Sequence, residues 1–79
     1  METSYTIEDK ELLQKIGDRI RYFRTEAGLS QEKLSFECNL DRTYIGSVER
    51  GERNIALINL NKLAKALNVS ISVLIEIEA

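Results

Sequence analysis

The strongest constraint on this chain is the punctuation between Gly28 and Gly51. Ser30 suits a helix start, because its hydroxyl can accept from a free backbone N–H, and it opens a short segment from Gln31 to Cys38. Asn39 follows, a residue type that tolerates a left-handed backbone. Leu40 then re-enters the core, and Asp41 caps a further segment that runs to Arg50 and stops at Gly51. Two short helices joined by about three residues, with a left-handed position inside the turn, read as a helix-turn-helix.

The flanks fit helices as well. Thr6 caps a first helix, with Glu8 and Asp9 placed to favour its positive end. Leu13, Ile16, Ile20 and Phe23 recur at three- and four-residue spacing and predict one apolar face, ended by Gly28. Gly17 is unfavourable there by about 1 kcal/mol relative to alanine, which predicts close approach of another helix. In the second helix Leu34 and Cys38 point one way, Glu32 and Lys33 the other. Leu57, Leu60, Leu63, Ala64 and Leu67 define a fourth helix after a loop, and Asn68 ends it. Ser70 caps a last helix from Ile71 to about Ile77, although alternation from Ser70 onward leaves a strand as the competing reading. The expected fold class is all-α: a compact five-helix bundle, one domain over residues 1–79. It divides into a flexible N-terminus over 1–6, the helix-turn-helix over 30–50 and a dimerisation segment over 69–79.

Composition narrows the function. A chain of 79 residues builds a marginal core, and dimerisation is a common way to add burial. With no histidine and one cysteine there is no usual zinc site and no histidine-based triad, so neither an enzyme nor a cofactor is expected. Cys38 has no intramolecular disulfide partner and reads as core. No apolar run reaches a membrane span, no secretory leader is evident, and no second domain offers a small-molecule site, so a cytoplasmic protein is expected. The net charge of −2 argues against nucleic acid until its distribution is considered. Glu2, Glu8, Asp9 and Glu11 face only Lys10 within residues 1–14, whereas residues 15–53 carry eight bases and seven acids. Helix geometry can sort the second set onto opposite faces.

The third helix carries the functional argument. Ile45 and Val48 are three apart and face inward, which predicts Arg42, Thr43, Gly46, Ser47 and Arg50 on the outer side. Small hydroxyls and a glycine between arginines suit close approach to a nucleic-acid surface, where arginine can fork onto guanine. A solvated helix end is the alternative, and this helix alone does not choose.

The stretch GLSQEKLSFECNLDRTYIGSVERGERN resembles the core of the phage-repressor-like (Cro/C1-type, XRE) helix-turn-helix regulators. Gly28, Leu29, Ser30, Gln31, Leu34, Ile45, Val48, Glu49 and Gly51 fall in register, and NLNKLAKALNVSISVLI resembles the family's fourth and fifth helices. Within the family, DRTYIGSVERGERN is most similar to controller proteins of restriction–modification systems. Departures are Ser35 for a small alanine, Asn39 for the frequent turn glycine, Gly46 for a frequent serine, and Ala56 where Ser or Thr commonly caps the fourth helix.

The resemblance implies a sequence-specific transcriptional regulator that binds a palindromic double-stranded operator near its own promoter as a homodimer, with RNA polymerase as a further partner to consider. Arg42, Thr43 and Ser47 would read bases. Gln31, Arg50, Arg53 and Asn54 would contact the backbone. Tyr44 would reach a phosphate or base edge, or pack over the turn; Lys33 would add a phosphate contact or stay solvated. Arg24 and Glu49 would pair structurally between the first and third helices. Ile71, Val73, Leu74, Ile75 and Ile77 put apolar groups around most of the last helix. Leu74 is assigned to the core and Val73, Ile75 and Ile77 to the dimer interface, flanked by Ile58 and Asn61. A phage-type repressor, or an antitoxin whose main partner is a protein toxin, is the alternative. Gene context separates the readings: a neighbouring methyltransferase and endonuclease, or a neighbouring toxin.

Overall fold

The computed structural model describes residues 4–77, so the outer parts of the expected N-terminal (1–6) and dimerisation (69–79) segments lie outside the described residues. Five helices follow in order: α1 Ile7–Glu26, α2 Gln31–Cys38, α3 Arg42–Glu49, α4 Leu57–Leu67 and α5 Ile71–Leu74. There is no strand among the described residues, which settles the C-terminal alternative in favour of helix.

The predicted caps form. Thr6 and Asp9 make a reciprocal capping box on α1, with bonds of 2.9 and 3.0 Å. Ser30 Oγ accepts from Lys33 N at 3.0 Å, and Asp41 Oδ1 from Thr43 N at 2.7 Å. The Thr43 N–H holds the Asp41 carboxyl below its ordinary value of 3.8. Asn39 and Asn68 take left-handed backbones at φ 58° and 59° and end α2 and α4. Ala56 supplies no side-chain cap, yet α4 begins there on schedule.

Ile20, Leu34, Ile45, Leu63, Leu74 and Val48 are fully enclosed, each side chain contributing about 1.5–3 kcal/mol by burial. The free thiol of Cys38 joins this core, and burial pushes it above its ordinary range, against a reactive role. Gly17 is where α1 meets α3. A Cβ there would stand 2.8 Å from the Glu49 carbonyl oxygen, so only glycine lets the two backbones touch.

Two expectations need correction. The last helix ends at Leu74 rather than near Ile77. The Val73 carbonyl accepts both Arg19 Nε from α1 at 2.7 Å and the Glu76 N–H at 3.4 Å, and Ile75–Ile77 leave the helical path. The outer side of α3 is also narrower than predicted: Gly46 and Ser47 are buried with Ile45, Val48 and Glu49. Gln31 at the start of α2 covers Gly46, its Oε1 3.3 Å from where a Gly46 Cβ would be, and Arg53 from the loop bonds Ser47.

Candidate nucleic-acid interface

The open part of α3 is its first turn. Arg42 and Thr43 are exposed and Tyr44 is half-buried. The side chains of Arg42 and Thr43 therefore project from the N-terminal end of a helix whose other end is fixed in the protein.

That fixation is a buried ion pair. Arg24 Nε and Nη2 donate to Glu49 Oε2 and Oε1 at 2.6 and 2.9 Å, while Arg24 Nη1 donates to the Leu29 carbonyl at 2.8 Å. Gln31 Nε2 donates to the same Glu49 carboxylate at 3.0 Å. The two charged side chains are 11% and 3% exposed, so their mutual bonds replace lost water. Arg24 and Glu49 are thus structural, as the sequence suggested, and Gln31 is drawn into their network. Its amide, expected at a phosphate, is turned toward Glu49.

Beside the open turn lies a second cluster. Ser47 is 5% exposed; its hydroxyl donates to the Tyr44 carbonyl at 2.7 Å and accepts Arg53 Nε at 3.2 Å. The Arg53 guanidinium lies over the Tyr44 ring, 5.7 Å from its centroid. Tyr44 Oη accepts from Asn59 Nδ2 on α4 at 3.3 Å. Ser47 therefore does not stand with Arg42 and Thr43 as an open base-facing hydroxyl; its burial and its bond from Arg53 make it a support for Arg53. Arg53 and Asn54 are exposed on the loop; Arg53 stays against Tyr44, whereas Asn54 borders Leu12 and Leu13 of α1.

Arg50 differs from Arg53. It is exposed, but its guanidinium forks onto Glu52, with bonds of 3.0 and 3.1 Å. This contact holds the Glu52 carboxyl below its ordinary value of 4.5 and raises Arg50. A phosphate contact by Arg50 would have to displace Glu52. The opposite charge two residues away was the available signal for that pairing. No local signal marked Asn59, because its bond to Tyr44 spans fifteen residues.

The expected dimer residues are split. Ile75 is 47% exposed, whereas Val73 and Ile77 are half-buried. Ile75 and Ile77 line a cavity of about 240 Å³ with Leu12, Leu13, Ile55 and Leu60. On α4, Leu57 and Ile58 are 69% and 72% exposed, so Ile58 is the more open apolar flank. Among the described residues no helix is long and apolar enough to cross a membrane.

Comparison with known proteins gives a consistent set of likenesses. A helix-turn-helix family model matches residues 20–74. The control protein C.BamHI of Bacillus amyloliquefaciens is 52% identical over 54 residues, covering 67% of this chain and 67% of that protein. The crystal structure of the restriction-modification controller protein C.AhdI from Aeromonas hydrophila superposes with a TM-score of 0.77 at 53% identity, over 78% of this chain and 94% of that one. The controller protein C.Esp1396I, as a tetramer in complex with its natural 35 base-pair operator, superposes with a TM-score of 0.75 at 43% identity, over 82% of this chain and 86% of that one.

Proposed function

The chain belongs to the helix-turn-helix family, and we propose that within it the protein is a DNA-binding transcriptional regulator of the restriction–modification controller type, acting as a homodimer on a palindromic operator. The observation that carries this reading is the braced third helix. Its first turn is open and presents Arg42 and Thr43, while Glu49 at its other end is locked to Arg24 and Gln31. A reading helix must be held rigidly for its side chains to discriminate base edges.

In this reading Arg42 and Thr43 contact bases. Arg53 and Asn54 contact the phosphate backbone from the loop, and Tyr44 borders both. Arg50 joins them only by leaving Glu52. Ser47 and Gln31 act from inside, the first on Arg53 and the second on Glu49. One short helix reads few base pairs, so a symmetric pair supplies the remaining information and contact. Ile58 and Ile75, with Leu57 and the half-buried Val73 and Ile77, are the apolar groups offered to a second copy.

Footprinting the DNA upstream of the protein's own gene, with sedimentation of the protein alone, tests the reading. The expected result is a protected site with two-fold symmetry and half-sites about one helical turn, roughly 34–36 Å, apart, bound by a dimer. A monomer at roughly tens of micromolar, about a thousandfold or more above the concentrations at which specific regulators bind, or protection without sequence preference, would overturn it.

A further inference from the structure

Asn59 sits on α4, outside the helix-turn-helix and the loop that carries Arg53. Its Nδ2 is the donor to Tyr44 Oη, and the ring so held is the plate on which the Arg53 guanidinium rests. Arg53 is held from its other side by Ser47 Oγ, itself bonded to the Tyr44 carbonyl. The contacts Asn59–Tyr44–Arg53–Ser47 thus return to the residue they pass through. Tyr44 is also packed against the core, so removing Asn59 would leave the ring in place but untether its hydroxyl and loosen the support beneath Arg53.

We propose that Asn59 is a positioning residue for DNA recognition: by holding Tyr44 Oη it sets the Tyr44 ring, and through the ring the Arg53 guanidinium, in the attitude in which both meet DNA. The proposal rests on the operator-binding reading above. Its consequence falls on discrimination. Binding to arbitrary DNA needs positive charge near phosphates and tolerates a mobile arginine. A specific site needs the backbone contacts in register so that base contacts can form. Groups ordered before binding lose less freedom on binding.

The test measures affinity for the footprinted duplex and for a random duplex of equal length, using native protein, Asn59→Ala, Tyr44→Phe and the double variant. Asn59→Ala is expected to lower the ratio of the two affinities about threefold to tenfold, the range of one neutral hydrogen bond. The salt dependence should stay unchanged, because Arg53 keeps its charge. In the Tyr44→Phe background Asn59→Ala should add nothing. Asn59→Asp, which can accept from the Tyr44 hydroxyl, should bind both duplexes more weakly yet keep their ratio. Asn59→Ser, which removes the amide donor with a small polar side chain, replaces Asn59→Ala with the same expected loss of ratio if that variant does not fold. An unchanged ratio, an equal loss on both duplexes, or a full further loss in the Tyr44→Phe background would overturn the proposal. Native protein with no preference between the duplexes would instead overturn the operator-binding reading, and this proposal with it.

Discussion

Between Ser30 and Gly51 the two buried polar side chains, Ser47 and Glu49, are both bonded to groups of the same chain. From Ser70 to Ile77 the balance is reversed: apolar side chains outnumber the places the chain offers them. Leu74 alone there is fully enclosed, Ile71, Val73 and Ile77 are half-buried, and Ile75 is 47% exposed. The first region is completed by internal polar bonds, and apart from Phe36, 78% exposed on α2, and Asn39 in the turn, its open side chains are charged or hydroxylated. The second leaves oily surface for an outside partner. A small chain can therefore specify one face tightly while leaving the other to association.

The comparison can be broken most severely at Glu49. Glu49→Ala leaves Arg24 buried without its partner, and a loss of about 3–5 kcal/mol is expected, read as a collapse of the denaturant midpoint. Retained native stability would mean that the brace is not what holds α3. The C-terminal region should behave oppositely. Ile75→Asp should leave the thermal melt of the helices nearly intact while shifting sedimentation toward monomer. Each subunit would forfeit up to about 1.5–3 kcal/mol of apolar burial at the interface. Unfolding instead of dissociation would place Ile75 in the core of a single chain.

A sharper cut runs through the open face. Arg42→Ala should reduce affinity for one operator position per half-site by about 1–3 kcal/mol with little effect on random DNA. Arg53→Ala should weaken both and flatten the salt dependence by about one unit. Equal loss on both duplexes for Arg42→Ala would reduce it to a backbone contact. The smallest effect belongs to Asp41. Its carboxyl titrates below the ordinary value of 3.8, so its stabilising cap is fully present above that value and is lost as pH falls through the depressed one. Native protein should lose more melting temperature than Asp41→Asn on acidification below 3.8. Glu52→Gln, run in parallel, removes the other depressed carboxyl.

What was legible in the sequence depended on distance along the chain. Thr6, Ser30, Asp41 and Ser70 cap within three residues of themselves, and Asn39 and Asn68 turn the backbone where they stand, so five helices could be placed. The family resemblance, carried by residues around Gly28 to Asn54, agrees with the family model over 20–74. The errors came from long side chains reaching across elements. Arg19 reaches the Val73 carbonyl where α5 ends, and Gln31 covers Gly46. Arg50, by contrast, had a nearby partner in Glu52, but nothing in helical spacing favours that pair over a phosphate. Ser47 lay at the edge of the predicted outer side, where Arg53, reaching back from the loop six residues on, bonds its hydroxyl.

The contact at Gly17 has a consequence for motion. Because α1 and α3 meet through main-chain atoms there, no side chain can rotate to let them slip. The two helices open together or not at all. Amide hydrogens around Gly17 and Val48 should exchange with deuterium at a common, slow rate, since exposing either requires parting both. The single turn of α5 meets α1 through the Arg19 guanidinium on the Val73 carbonyl, and Glu76 just beyond it forms a loose ion pair with the same arginine at 3.9 Å. Its amides should exchange earlier, leaving α3 and its brace as the last unit of the molecule to let water in.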